Sequence, residues 1–277
     1  MEAGVVKHIR ITRVTGEGVL ETSDQLAVEE PLEIQMVYGS AENRITKIIS
    51  VTMRTPGDDE ELAGGFLFTE GIINDKKQVS KIQVDREDGN KVMVVLCDTA
   101  VPHLQTAERN FYTTSSCGVC GKSGIDAIKT VSVFARQEDA MKVNAAVFYG
   151  LPIALKKQQE LFASTGGLHA SSLFDVDGNL LLLREDVGRH NALDKVIGAC
   201  FFNNQLPLEN TILLLSGRAS FELIQKASMA GIKIIASIGA PSSLALQLAE
   251  EFGITLIGFL GNEKFNIYSG SHRVVLG

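Results

Sequence analysis

Apolar and polar positions along the chain form two blocks of regular pattern, separated by a stretch with neither helical nor strand periodicity. In the first block, β-branched runs and an Asp-Gly-Asn turn predict four strands, at residues 31–38, 45–53, 79–85 and 91–97. Between the second and third strands, Asp58 can cap a helix in which the apolar residues from Leu62 to Ile72 follow helical spacing. The first block, residues 1–112, is therefore predicted to be a small α+β domain.

The second block, residues 125–277, begins with helical patterns over 125–134 and 144–162, where Pro152 marks a kink or the start of a further helix. A hairpin is predicted next, and apolar strands then alternate with helices. The strands are 169–175, 180–186, 211–216, 232–238 and 255–259, and the helices are 191–202, 220–229 and 242–252. Apolar strands separated by helices indicate a sheet covered on both faces. The predicted fold is a three-layer αβα domain with a mixed, mostly parallel sheet.

The composition limits the class of protein. The chain has 277 residues, 45% of them apolar, with a formal net charge of −7 and a pI of about 5.3. Such an acidic chain has no overall attraction for nucleic acid or anionic membranes. No run approaches the roughly 18 apolar residues of a spanning helix, and the N-terminus lacks a signal pattern. We therefore expect a globular, cytoplasmic protein that binds neither nucleic acid nor membrane.

The stretch between the blocks, residues 113–124, contains the candidate chemistry. It reads Thr-Thr-Ser-Ser-Cys-Gly-Val-Cys-Gly-Lys-Ser-Gly and spaces Cys117 and Cys120 as C-x-x-C. Its glycines and hydroxyl side chains disfavour both helix and strand, so the sequence predicts an exposed, mobile loop. An exposed thiol beside the Lys122 cation ionises readily, and the thiolate is the nucleophilic form. This loop is the candidate reactive site.

Three interpretations of the C-x-x-C compete. A structural zinc site needs two further ligands in a close pair, which the sequence does not offer, so no bound metal is expected. A thioredoxin-like pair would lie within a compact βαβ unit rather than in a linker. A sulfur carrier needs exposure, an activated thiolate and mobility, all of which the predicted loop provides. The other two cysteines, Cys97 and Cys200, have apolar neighbours and are predicted to be inert core thiols.

Three polar stretches of the second block fall where predicted elements end, at residues 165–169, 184–195 and 216–220. In an open α/β sheet, ligands bind beyond the carboxyl ends of strands, where helix N-termini offer free N–H groups to anions. Arg189, Lys195 and Arg218 could hold a phosphate there by charge-assisted hydrogen bonds. A lone histidine beside a glycine turn is more often structural, but the density of charged groups around Gly188 favours a binding role.

Taken together, four motifs resemble the formate dehydrogenase accessory sulfurtransferase family, FdhD. They are Ser-Ser-Cys-Gly-Val-Cys-Gly at 115–121, Thr-Gly-Gly-Leu-His-Ala at 165–170, Glu-Asp-Val-Gly-Arg-His-Asn-Ala-Leu-Asp-Lys at 185–195, and Ser-Gly-Arg-Ala-Ser at 216–220. The resemblance implies a cytidine deaminase-like fold for the second block and a homodimer. It also implies a cofactor-binding site formed by Gly167, His169, Glu185, Asp186, Arg189, His190, Lys195, Ser216, Gly217 and Arg218.

The activity implied by the resemblance is sulfur transfer. A cysteine desulfurase would donate a persulfide sulfur to Cys117 or Cys120. The protein would pass it to the molybdenum bis guanine dinucleotide cofactor, a transient ligand, and formate dehydrogenase would be the client. A zinc nucleobase deaminase is the first alternative, but it needs His-x-Glu and a downstream Pro-Cys-x-x-Cys, whereas His169 and Ala170 are followed by Ser171. A cofactor-binding chaperone, in which the cysteines have no role, is the second.

Overall fold

The structure is a computed structural model that describes residues 4–85, 87–104, 134 and 141–276. The C-x-x-C loop predicted at 113–124 lies outside the described residues, and so does the helix predicted over 125–134, except for residue 134. The division into domains at 1–112, 113–124 and 125–277 therefore stays a prediction.

The first block contains the predicted α+β unit and one further hairpin. A four-stranded sheet has the order β4-β3-β6-β5, with β3 parallel to β6 and both other pairs antiparallel. The elements are β1 (Val6–Thr15), β2 (Gly18–Ala27), β3 (Glu30–Tyr38), β4 (Ile45–Arg54), α1 (Asp59–Thr69), β5 (Val79–Val84) and β6 (Lys91–Leu96). All four predicted strands and the helix are confirmed. The antiparallel β1–β2 hairpin was not predicted from the sequence.

The second block forms a six-stranded sheet of order β13-β12-β11-β10-β8-β9, with helices between the strands. Its elements are β7 (Val143–Asn144), α2 (Ala145–Gln158), α3 (Glu160–Thr165), β8 (His169–Phe174), β9 (Leu180–Asp186), α4 (Arg189–Phe202), β10 (Ile212–Leu215), α5 (Phe221–Met229), β11 (Ile234–Ser237), α6 (Ser243–Glu251), β12 (Thr255–Gly261), β13 (Lys264–Ser269) and β14 (Val274–Val275). Pro152 lies inside α2, and the next helix begins only after Gln159.

The sheet is mixed, as predicted, but the expectation that it is mostly parallel is wrong. Only the β10–β11 and β11–β12 pairs are parallel, and the other three pairs of this described sheet are antiparallel. The physical reason is that the β8–β9 hairpin lies on one side of the three parallel strands, and β13, which forms an antiparallel hairpin with β12, lies on the other. The second of these hairpins was not predicted.

Both faces of the six-stranded sheet are covered, which confirms the three-layer αβα arrangement. Leu213 and Leu215 of β10 belong to a core shared with α4 and α5, whereas Ile212 and Leu214 belong to a second core that includes Phe148 of α2. This alternation follows from the two-residue period of a strand. The likeness to cytidine deaminases stays a prediction.

The larger core continues into the first block. Leu32 of β3 and Phe68 of α1 are fully buried in the same cluster as Leu193 of α4. Helix α4 is consequently buried along almost its whole length, between the six-stranded sheet and α1. In the part of the chain that the structure describes, no helix is both long and apolar enough to cross a membrane.

Candidate functional site

The three polar stretches from the second block meet at one edge of the six-stranded sheet. Because β8 runs antiparallel to β10, the first residue of β8 lies beside the carboxyl end of β10. The connection is direct: the backbone N–H of Ala170 donates to Ser216 Oγ at 2.8 Å, and the N–H of Ser216 donates to the Ala170 carbonyl at 3.0 Å. The sequence-predicted stretches at 165–169 and 216–220 are thus neighbours in the fold.

His169 lies against Gly217 at this edge. A Cβ atom at Gly217 would lie 3.3 Å from His169 Nδ1, which is a tight contact, so the glycine leaves room for the imidazole. Partial burial lowers the pKa of His169, and the nearby Arg189 cation lowers it further, with the Asp186 carboxylate opposing both. The ring is therefore held mainly neutral near pH 7 and can accept or donate one hydrogen bond at each nitrogen.

Three polar atoms at the N-termini of α4 and α5 are buried without a hydrogen-bond partner. They are Arg189 Nε, His190 Nε2 and Ser220 Oγ. His190 is only 7% exposed, and its Nε2 atom lies 3.8 Å from Glu222 Oε2, beyond hydrogen-bond distance. A buried polar group without a partner is rare in a native protein and calls for an explanation such as a bound ligand.

We call this group of residues the edge cluster: His169, Arg189, His190, Ser216, Gly217 and Ser220. Neither α4 nor α5 has a side-chain hydrogen bond at its N-cap, where Gly188 and Ser220 stand. Free N–H groups at helix N-termini, next to an arginine, favour an anion such as a phosphate. Arg218 is exposed in the loop between β10 and α5. The arrangement can hold a phosphorylated ligand at the carboxyl edge of the sheet.

Two of the sequence-predicted binding residues lie inside the protein instead. Lys195 is 1% exposed and Asp186 is fully buried; the Lys195 ammonium lies 2.8 Å from Asp186 Oδ2 and donates to the Thr55 carbonyl at 2.9 Å. Asp186 also accepts from the backbone N–H groups of Gly188 and Thr55. The pair joins α4 to the chain after β4. Its position argues against the phosphate contact expected from Lys195.

Glu185 has a local structural contact. Its carboxylate accepts hydrogen bonds from the backbone N–H groups of Leu161 and Phe162, at 3.2 and 3.0 Å, in the first turn of α3. Burial raises the pKa of Glu185, and these hydrogen bonds lower it in part. Gly167 lies in the exposed connection from α3 to β8. Neither residue contributes a buried polar atom to the edge cluster.

The two predicted catalytic cysteines, Cys117 and Cys120, lie outside the described residues. Cys200 is buried, and burial raises the pKa of its thiol to about 11, as expected of an inert core thiol. The same expectation is wrong for Cys97, which is partly exposed after β6 and donates from Sγ to the Lys77 carbonyl at 3.2 Å. The described ranges contain no group of three His, Cys, Asp or Glu side chains able to hold a metal ion.

Glu222 was missed as a candidate, and Ser220 was noticed only as part of its motif. Ser220 is the N-cap of α5, and Glu222 lies in its first turn, where its carboxylate is 3.8 Å from His190 Nε2 at the N-terminus of α4. The proximity of these residues to α4 depends on how α4 and α5 pack against each other, and helix packing of this kind leaves no periodic signal in the sequence. The sequence signal that could have indicated Ser220 is a serine directly before a predicted helix, because serine is a preferred N-cap residue.

The fold is a three-layer αβα arrangement, and the edge cluster is a polar site at the N-termini of α4 and α5. Residues 27–275 match the FdhD/NarQ family, and the chain belongs to that family. A sulfur carrier protein FdhD from Mycolicibacterium paratuberculosis is 49% identical over 277 residues, covering 98% of this chain and 99% of the relative. The sulfur carrier protein FdhD of Nocardia farcinica is 44% identical over 278 residues, covering 99% and 96%.

A crystal structure from Desulfotalea psychrophila, described as a formate dehydrogenase accessory protein, has the same fold. Its TM-score is 0.77 at 24% sequence identity, and the superposition covers 98% of this chain and 100% of that one. At this identity the likeness concerns the fold alone.

Proposed function

We propose that the protein is a sulfurtransferase that carries sulfur for the maturation of formate dehydrogenase. Its membership of the FdhD/NarQ family and the near full-length relatives named sulfur carrier protein support this role. The observation that carries the proposal within the fold is the edge cluster, where Arg189, His190 and Ser220 each have a buried polar atom without a partner. A carrier that delivers sulfur to a bound acceptor needs such a site in addition to a reactive thiol.

The acceptor is a phosphorylated guanine nucleotide cofactor, the molybdenum bis guanine dinucleotide, bound as a substrate. Its phosphates fit the uncapped N-termini of α4 and α5, with Arg189 and Arg218 supplying charge. His169 and His190 can donate to or accept from its polar groups. The residues present suit the ligand because Arg189 and the neighbouring Arg218 are cations and the two helix N-termini offer free N–H donors, whereas the chain as a whole is acidic.

Sulfur is taken up at the C-x-x-C. The Cys117 thiolate attacks the outer sulfur of the persulfide on a cysteine desulfurase. A new sulfur–sulfur bond forms at Cys117, and the cysteine thiolate of the donor leaves, so no oxidant or reductant is needed. The bound sulfur atom keeps its oxidation level in this exchange.

Sulfur is released in a second exchange. The Cys120 thiolate attacks the sulfur atom of Cys117 and forms a Cys117–Cys120 disulfide. Sulfide is the leaving group and is transferred to the cofactor. The transferred sulfur is reduced by two electrons while the two cysteines are oxidised. A dithiol reductant must then reduce the disulfide before the next cycle.

The proposed partners are a cysteine desulfurase as donor, formate dehydrogenase as client, and a second copy of the chain in a homodimer. A chaperone that binds the cofactor without using its cysteines is the alternative function. It has the same edge cluster, so only the cysteines distinguish the two.

The test is mass spectrometry of the full chain after incubation with a cysteine desulfurase and cysteine. The sulfur carrier should gain the mass of one sulfur atom on the peptide that contains Cys117 and Cys120. The Cys117→Ala, Cys120→Ala variant should not gain it and should not activate formate dehydrogenase. A variant that activates the client as well as the parent does would favour the chaperone.

A further inference from the structure

Helices α4 and α5 face each other through two pairs of ionisable side chains that lie one helical turn apart. The outer rung is His190 with Glu222, near the N-termini of both helices, and the inner rung is Asp194 with Lys226. Each helix contributes two residues four positions apart, which lie on the same helix face. Because the pairs follow in the same order along both helices, α4 and α5 run parallel, away from the edge cluster. The inner rung therefore lies directly behind the edge cluster, about 6 Å further along the helices.

The inner rung is a closed, buried ion pair. Lys226 is 6% exposed and Asp194 is 2% exposed, and the ammonium donates to both carboxylate oxygens, at 3.0 and 2.9 Å. Burial by itself lowers the pKa of Lys226, but the carboxylates of Asp194 and Glu70 raise it overall, so the side chain stays charged near pH 7. A buried charge cannot exchange its partner for water without a large penalty, so the distance between the two side chains is firmly set.

The first block closes the inner rung from the outside. Thr69, the last residue of α1, donates from Oγ1 to Asp194 Oδ1 at 2.8 Å and accepts from the Lys226 ammonium at 2.9 Å. The same ammonium lies 5.4 Å from the centroid of the Phe66 ring, within the range of a cation–π contact. Three helices thus meet at Lys226, and its ammonium determines how far apart α4 and α5 lie.

The outer rung, in contrast, is open. His190 Nε2 lies 3.8 Å from Glu222 Oε2, whereas the inner rung joins its two side chains at 2.9 Å. The buried Nε2 atom has no hydrogen-bond partner among the described residues. Both pairs lie between the same two helix faces, so the helix separation at which the inner rung closes is one at which the outer rung stays apart. His190 is consequently left available to a ligand.

We propose that Lys226 is a positioning residue of the anion site. Its pair with Asp194 sets the distance between the N-termini of α4 and α5 and keeps His190 Nε2 available to the ligand rather than to Glu222. This inference rests on the proposed function, in which the edge cluster binds the phosphates of the ligand. Lys226 is buried one turn behind the edge cluster, so it influences the ligand through the outer rung and not by contact.

The test is calorimetry of the full chain with inorganic pyrophosphate and with GDP. Lys226→Met keeps a long side chain but removes its charge, and should weaken the binding of both probes about tenfold or more, the contribution of one hydrogen bond to a charged group. In a His190→Ala background the same substitution should cause no further loss, because residues that act through one another are not additive. Leu155→Ala, in the core on the other face of the sheet, is the control. It should destabilise the fold without changing either affinity.

Asp194→Asn provides a second variant, which keeps the shape of the inner rung but removes its negative charge. It should weaken both probes in the parent and not in the His190→Ala background, and it decides the question if Lys226→Met does not fold. Unchanged affinity in a folded inner-rung variant would overturn the positioning role and leave the proposed function intact. Equal losses with and without His190, or a comparable loss in Leu155→Ala, would overturn it as well. A parent that binds neither probe would overturn the anion site itself.

Discussion

Gly65 of α1 and Gly198 of α4 bring their two helices into backbone contact. A Cβ atom at Gly65 would lie 1.9 Å from the Asp194 carbonyl oxygen, and one at Gly198 would lie 1.9 Å from the Glu61 carbonyl oxygen. Both would clash with main chain that cannot rotate away. The first block therefore packs directly against α4, the helix that begins at the edge cluster. The position of α4 depends on both glycines.

We predict that Gly198→Ala destabilises the protein, although alanine is normally the better helix former. The added methyl group should overpack this contact and lower the free energy of unfolding by about 1–3 kcal/mol or more. Gly150→Ala is the matched control, because Gly150 lies in α2 with open space around it and alanine should stabilise there by up to about 1 kcal/mol. Urea unfolding of the three proteins measures both effects. Stabilisation in both variants would show that the helices do not touch as described.

A second prediction concerns the buried Lys195–Asp186 pair. Lys195→Met leaves the Asp186 carboxylate buried without its cation, which should cost about 3–5 kcal/mol of unfolding free energy. Lys156→Met, at an exposed position of α2, should change the free energy by less than about 0.5 kcal/mol. If the folded Lys195→Met protein keeps the stability of the parent but loses GDP affinity, Lys195 binds ligand after all, as the sequence suggested.

A third prediction follows from the lowered pKa of His169. Burial and the Arg189 cation hold this pKa below the value of about 6.5 for an unfolded histidine, so the unfolded state binds the proton more tightly. His169 therefore contributes stability above pH 6.5 that is lost as the pH falls through its folded pKa. Replacing it with glutamine should make the free energy of unfolding less sensitive to pH between about 7 and 5. Urea unfolding at both pH values, with His8→Gln on β1 as control, measures this; equal pH sensitivity in parent and His169→Gln contradicts it.

The sequence predicted the elements that carry a local residue pattern, such as an apolar strand or a tight turn. Apolar strands β10, β11 and β12 and the Asp-Gly-Asn hairpins were found because burial on both faces, or a tight turn, constrains residue type locally. Hairpin β1–β2 is mostly exposed, so its residues are under little such constraint. In β13, Phe265 and Ile267 alternate towards the core that contains Phe148, a short signal that was overlooked.

The sequence located three polar stretches at the ends of predicted elements, and in the fold these stretches meet, but the sequence did not show which of their charged residues are buried. Spacing along 184–195 could not reveal which side chains of α4 point inward, because α4 is buried by α1 on one side and by the sheet on the other. Lys195 and Asp186 are used there as an internal pair, whereas Arg189 and His190 stay at the edge.

The last prediction is that sulfur uptake and nucleotide binding can be separated. The described contacts of the edge cluster are made among residues 169–222 and do not involve the cysteines, so we expect removal of the thiols to leave the cluster unchanged. The Cys117→Ala, Cys120→Ala variant should keep the circular dichroism spectrum and the GDP affinity of the parent but take up no sulfur. Arg218→Ala should load sulfur normally but bind GDP about tenfold or more weakly, because one charge-assisted hydrogen bond, worth roughly 1.5–3 kcal/mol, is lost. Both variants are measured in both assays, persulfide loading and calorimetry with GDP. A folded cysteine variant that no longer binds GDP would show that the C-x-x-C segment is part of the nucleotide site, and the scheme of two separate sites would be wrong.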